Sequence, residues 1–335
     1  MPSNNKKSDS PITKILFMPT IIEHAAFIIG QTPSTAAQDT SIMAKAHIAA
    51  YNLYRPDAVT VGMDIYNIEA EALGCQVRFY NDKSIPGIIT HPLSLDSNPD
   101  IIAFSPDLGR IQSILCAATE VRACIDMNTK VSVGICGPFS IFIELMGFET
   151  AIHAFIDEDG RVGPLLTAIL DFQKAYCSEI VKKGLGVTVF ESWASPPLIT
   201  PDIYRQYALP YEQALFSHMQ GIGLTSRPLV IGGDTRPILD DIIKSGTTLL
   251  VSDYNTPLPF YIKKAQAAGL TLRANIDPKL VRQGEFKKIE ERIKEIYTQL
   301  ETYPKLIIGT GVVPYDTPQE NLLKVKKMIE SQAQN

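Results

Sequence analysis

A chain of 335 residues with 45% hydrophobic and 20% charged content can bury one large core or two modest ones. Its net charge of -5 is spread without runs of one sign, which argues against nucleic acid and against an anionic membrane surface as partners. No apolar stretch approaches the roughly 20 residues that cross a bilayer, and the start, MPSNNKKSDSP, has no apolar run behind its lysines, so the expected location is the cytoplasm. The five cysteines, Cys75, Cys116, Cys124, Cys136 and Cys177, form no C-x-x-C pair, and each reads as a small buried apolar residue in a reducing compartment.

Residues 1–10 are polar and read as a flexible tail, leaving residues 11–335 as a single domain. Residues 21–54 carry alanine-rich and apolar segments at helical spacing, broken at Gly30 and Pro33, and predict a pair of helices. From Pro56 onward, short β-branched runs alternate with amphipathic segments, the pattern of repeated βα units. The predicted strands are residues 58–63, 131–136, 187–191, 229–232, 248–252, 271–275 and 306–309, with helices over 163–183, 203–220, 237–244 and 286–302. An eighth strand is either irregular or lies in 101–105, and residues 75–90 read as a β-hairpin inserted in one βα loop. The expected fold is α/β, a (β/α)8 TIM-type barrel with N-terminal helices and an inserted β-hairpin.

Barrel sites are built at the C-terminal ends of the strands, and here those ends are polar or glycine-rich. In chain order they are Asp64 with Tyr66 and Asn67, then Gly137, then Glu191 with Trp193, then Asp234, then Asp253 with Tyr254, then Asn275, then Gly311. Any one of these residues is equally at home as a helix cap or turn former; together they favour a site. Glu191 ends the apolar run Val187 to Phe190, where an ionised carboxylate is costly unless paired or facing a site, and it is the candidate acid or base. Asp64 is weighed as a catalytic group against a helix cap. Asp234 and Asp253 stand evenly between capping and substrate binding. His24 is a candidate catalytic group at the barrel mouth, whereas His153 reads as a satisfied core histidine. Tyr66, Trp193 and Tyr254 suit a wall for an apolar substrate or plain packing, Asn67 and Asn275 are further candidate contacts, and Arg273, odd inside a strand, either pairs with a carboxylate or holds an anionic ligand.

These segments match a known pattern. Residues 64–77, DIYNIEAEALGCQV, resemble the D…EAxGxxV segment of methylcobalamin:coenzyme M methyltransferases, in the uroporphyrinogen decarboxylase superfamily. GICGPF at 134–139, ESWAS at 191–195 leading to ITP at 199–201, IGGDT at 231–235, SD at 252–253, NIDP at 275–278 and GTG at 309–311 follow in the family's order. The resemblance covers nearly the whole chain after residue 15; each motif is weak, but their order and spacing are specific. It implies a (β/α)8 barrel and methyl transfer between a small methylated compound and a corrinoid. The chain has no cobalamin-binding D-x-H-x-x-G segment, so the corrinoid is expected on a partner protein.

The resemblance also implies a zinc site of one histidine and two cysteines, and at the corresponding positions this chain carries Val230, Gly232 and Val312. Valine and glycine offer no donor side chain, so no zinc is expected there. Loss of the metal removes the means of activating a thiol acceptor and points to the donor-side half-reaction, in which a reduced corrinoid takes a methyl group and the leaving group needs an acid. The alternative is a uroporphyrinogen decarboxylase-type lyase. Its polycarboxylate substrate calls for arginines near the N-terminus, and the first arginine here is Arg55. A non-catalytic ligand-binding member is the third reading.

Overall fold

The computed structural model describes residues 15–300 and 303–332, so the expected tail at residues 1–10 lies outside the described residues. The described residues form ten strands: β1 (Leu16–Thr20), β2 (Ala58–Val61), β3 (Val77–Arg78), β4 (Gly87–Ile88), β5 (Lys130–Cys136), β6 (Gly186–Phe190), β7 (Leu229–Val230), β8 (Leu249–Ser252), β9 (Thr271–Ile276) and β10 (Leu306–Val312). β1, β10, β9 and β8 form one parallel sheet in that order, and β2, β5, β6 and β7 form another. The sheets meet at two sparse seams. A parallel bridge joins Pro228 to Leu249. At the other seam the Asp57 amide donates to the Phe17 carbonyl at 3.1 Å, and Asp57 Oδ2 accepts from the Phe17 amide at 2.8 Å.

The eighth strand is therefore β1 and not residues 101–105, where the chain makes a short 3-10 turn over Pro99–Ile101. Pro19 hides it. Proline cannot donate to a ladder and demotes a strand assignment, and here the β1–β10 register shifts between Met18 and Thr20, where a missing donor is tolerated. β7 is shorter than expected because the chain turns off at Gly232 and Gly233, the latter at φ +76°. The predicted hairpin is present, with Val77 paired to Ile88 and Arg78 to Gly87.

Three helices, not two, follow β1: Glu23–Ile28, Pro33–Gln38 and Thr40–Tyr54. The extra break is made by Asp39, whose side chain caps the last helix by accepting from the Ile42 amide at 2.9 Å. The helix expected over 203–220 contains a π turn at Tyr204–Ala208, just before Pro210, which has no N–H to give the carbonyl four residues back. Cys75, Cys136 and Cys177 are buried as expected, but Cys116 and Cys124 lie on the exposed side of the helix Ile111–Cys124. His153 is also exposed, because its helix, Phe148–Ile156, turns Ala151, Ala154 and Phe155 inward instead.

Inside the barrel β2, β5 and β6 contribute a row of small hydroxylic side chains. Thr60 and Ser132 are hydrogen-bonded at 3.1 Å, and Ser132 and Thr188 at 3.0 Å. Outside it, the apolar helices Pro138–Met146 and Phe148–Ile156 meet at 114° and bury their faces. Among the described residues no single helix is long and apolar enough to cross a membrane. Phe155 joins this layer together, with ring centroids 5.1 Å from Phe139, 5.3 Å from Phe142 and 4.6 Å from Tyr207. Phe155→Ala is expected to cost about 3–5 kcal/mol in urea unfolding, through lost burial and the cavity left among three rings; a cost below about 1 kcal/mol would show that the cluster is not holding the layer.

Candidate functional site

A cavity of about 320 Å³ opens at the C-terminal ends of the strands. Most of its wall is aliphatic or aromatic, including Ile22, Met63, Ile65, Phe190, Ile231 and Val251, and Ile85 and Pro86 of the hairpin segment close one side. Against this wall stand a few polar groups. The arrangement is that of a small-molecule site: an apolar pocket with a small number of placed hydrogen-bonding and charged groups.

Asp64, Tyr66, Asn67, Asp253, Arg273 and Asn275 all line this cavity. Asp64, at the end of the β2 segment, is committed to a buried ion pair. Its Oδ1 accepts from Arg110 Nη1 at 2.8 Å and its Oδ2 from Arg110 Nη2 at 2.7 Å. Arg110 also donates to Glu71 Oε2 at 2.5 Å and to the Ala37 carbonyl at 3.2 Å. Asn67 donates to Asp64 Oδ2 at 2.9 Å and to the Pro86 carbonyl at 2.7 Å, tying the hairpin segment to the mouth. The Tyr66 hydroxyl is bonded to Ser192 Oγ, and burial pushes its pKa upward. Asp253 accepts from the Gly233 amide at 3.2 Å and the Asn255 amide at 3.1 Å, so it both holds a loop and faces the pocket.

Arg273 projects from β9 without an acidic partner among the described residues. Its Nε donates to Asn275 Oδ1 at 3.0 Å, and its Nη2 donates to Thr20 Oγ1 and to the Thr310 carbonyl. Burial lowers its pKa to about 10. Gly309, beside it on β10, is required: a Cβ there would overlap Arg273 Nε.

Glu191, His24, Trp193, Asp234 and Tyr254 do not line the cavity. Glu191, expected to be the acid or base, lies behind the barrel wall under the start of the helix Pro138–Met146. There its Oε1 accepts from the Ser140 amide at 2.6 Å, its Oε2 is buried without a partner, and only a glycine at Gly137 leaves room for it. Burial raises its pKa to about 7, and that of its neighbour Glu69 to about 8. The strand does end in a buried carboxyl as the apolar run suggests, but the alternation of the strand turns it outward, away from the mouth. His24 is enclosed in the helical layer, with Nδ1 2.9 Å from the Tyr315 carbonyl and Nε2 2.8 Å from the Tyr54 hydroxyl, and burial lowers its pKa. Trp193 donates to Glu144 Oε1 at 2.7 Å and packs on Phe148. Asp234 forms an exposed ion pair with Arg236, and Tyr254 sits beside Gly311 on the rim.

The group that sequence reasoning passed over is Glu23. It follows β1, lines the cavity and is 7% exposed, and desolvation raises its pKa to about 7. A lone charge in the run Ile21 to Phe27 was the available signal, lost because β1 itself was not recognised. Val230, Gly232 and Val312 also converge on this cavity. They present no nitrogen, oxygen or sulfur side-chain donor, so these residues do not fit a zinc ion.

Residues 7–332 match the uroporphyrinogen decarboxylase (URO-D) family. A methylcobamide:CoM methyltransferase of Methanosarcina mazei is 28% identical over 298 residues, covering 88% of this chain and 85% of the relative. A uroporphyrinogen decarboxylase of Pelodictyon phaeoclathratiforme is 24% identical over 321 residues, covering 91% and 86%. The solved structure of a methyltransferase from Methanosarcina mazei superimposes with a TM-score of 0.83 at 22% identity, covering 96% of this chain and 95% of that one, a likeness of fold.

Two stability measurements separate the roles of these carboxyls. Asp64→Asn strips the charge from one side of a buried pair and is expected to cost about 3–5 kcal/mol, read by urea unfolding; a loss within 0.5 kcal/mol, roughly that of an ordinary surface change, would contradict a structural pair. Glu23 keeps its proton in the folded chain up to about pH 7 but loses it near 4.5 when unfolded. The folded state therefore binds the extra proton between those values, and stability falls as pH rises through that window. Glu23→Gln removes the penalty, with an expected gain over the parent of roughly 2–3 kcal/mol at pH 8 and little at pH 4; an equal effect at both pH values would refute the raised pKa.

Proposed function

The chain belongs to the uroporphyrinogen decarboxylase (URO-D) family, and we propose that within it the protein is a methyltransferase that moves a methyl group between a small methylated compound and a corrinoid carried by a partner protein, without zinc. The observation that carries this reading is Glu23, a carboxyl whose pKa burial raises to about 7, in the cavity that Val230, Gly232 and Val312 also line, the positions where the resemblance implies zinc ligands. Relatives named as methylcobamide:CoM methyltransferases, at 25% to 28% identity, support the class.

A reduced corrinoid supplies the nucleophile that accepts the methyl carbon. The chain's part is to bind the donor in an apolar pocket and to supply a proton. As the bond between the methyl carbon and a nitrogen, oxygen or sulfur atom breaks, the leaving atom takes the electron pair and the Glu23 proton, leaving a carboxylate that solvent at the mouth reprotonates. The apolar wall keeps Glu23 protonated until it is used, because an ionised carboxylate there is poorly solvated. A porphyrinogen decarboxylase reading is less well supported by the cavity, whose lining among the described residues includes a single cationic side chain, Arg273, where a polycarboxylate calls for several.

The test is methylation of reduced cobalamin, followed by its visible spectrum, with a panel of methyl amines, ethers and thioethers. Transfer is expected from at least one donor, with a rate that declines as pH rises through about 7. Glu23→Gln should lower kcat by about 10²–10³-fold. No transfer from any donor, or an undiminished rate in Glu23→Gln, would reject the proposal.

A further inference from the structure

Arg273 is buried, at 9% exposure, and makes three hydrogen bonds, all to neutral acceptors: Asn275 Oδ1, Thr20 Oγ1 and the Thr310 carbonyl. Its Nη1 has no acceptor among the described residues. Among the described residues it forms no ion pair with an acidic side chain, and burial lowers its pKa. The other buried arginine of the mouth, Arg110, is matched by both Asp64 and Glu71. A guanidinium held out of water with no counter-charge is costly, by several kcal/mol in general, and buried charges are as a rule paired.

Position adds a second observation. Arg273 lies below the end of β9, level with Val251 of β8 and Ile307 of β10. It lines both the mouth cavity and a smaller chamber beneath it of about 40 Å³, so it forms part of the floor between them. Gly309 makes the room it occupies. The acidic groups nearer the rim are accounted for: Asp64 is paired with Arg110, and Asp253 is bonded to two amides.

We propose that Arg273 is the anchor for a compact oxyanion, such as a carboxylate, carried by the small molecule that binds in the mouth. The donor enters with its anionic end down on the guanidinium. Resting on the methyl-transfer reading above, this leaves the methyl end toward the open side, near Glu23, where a partner-borne corrinoid has access. Glu23, whose pKa burial raises to about 7, is mostly neutral below that pH and there does not repel such a ligand.

The experiment is calorimetric binding, without corrinoid, of acids and their matched amides: methoxyacetate with methoxyacetamide, and 3-(methylthio)propionate with 3-(methylthio)propionamide. The intact protein is expected to bind at least one acid about tenfold or more tighter than its amide, as loss of a charge-assisted pair implies. In Arg273→Gln, checked for folding by circular dichroism, that preference should shrink to about twofold or less. Equal binding of acid and amide by the intact protein, failure of both acids to bind, or a preference that persists in Arg273→Gln overturns the proposal. Because no corrinoid is present, the two readings fail separately. Acids that bind through Arg273 but donate no methyl group count against transfer and leave the anchor standing; donors transferred with no preference for charge do the reverse.

Discussion

Asp64 and Arg110 meet through two hydrogen bonds in the interior, and much of the mouth hangs on that contact. The guanidinium gathers the end of the β2 segment, Glu71 on the following helix and the carbonyl of Ala37 on a helix from the N-terminal layer. Asn67, bonded to the same aspartate, adds the hairpin segment at Pro86. One buried charge pair thus ties these four pieces of the chain together, and breaking it would leave an ion stranded in low dielectric. The same physics makes Glu23 and Arg273 conspicuous. They are buried charge-capable groups with no charged partner among the described residues, and they face the cavity instead of the layer behind it.

Most of the barrel was legible because its strands are short β-branched runs separated by amphipathic helices, and the period changes cleanly between them. β1 was not, because Pro19 interrupts it at the point where the ladder already shifts register. That one omission propagated to the site. With β1 unseen, Glu23 was not at a strand end, and the search for an acid settled on Glu191, which does end a strand. Glu191 illustrates the limit of strand-end reasoning: being last in a strand does not say on which side of the wall a side chain falls, and Gly137 had left space for it outside. Asp64, Tyr66, Asn67, Asp253 and Asn275, legible from strand ends, and Arg273, legible as a charge inside an apolar strand, do line one cavity. His24 was drawn into the helical layer by Tyr54 and Tyr315, contacts distant in sequence that no local pattern announces.

Val230, Gly232 and Val312 lie on two segments far apart in the chain yet share one cavity wall, so the three positions where the resemblance implies zinc ligands come together on one surface, and that surface offers no donor side chain. The two valine side chains add to the apolar wall of the pocket, and burial beside such a wall is what raises the Glu23 pKa. On this account the chemistry has moved from activating an attacking thiol to assisting a departing group.

The most direct test is elemental analysis of the purified protein joined to methyl transfer measured before and after exhaustive chelation. The account predicts well under one zinc per chain and a transfer rate that chelation leaves unchanged. Stoichiometric zinc, together with transfer that chelation abolishes and zinc restores, would contradict it.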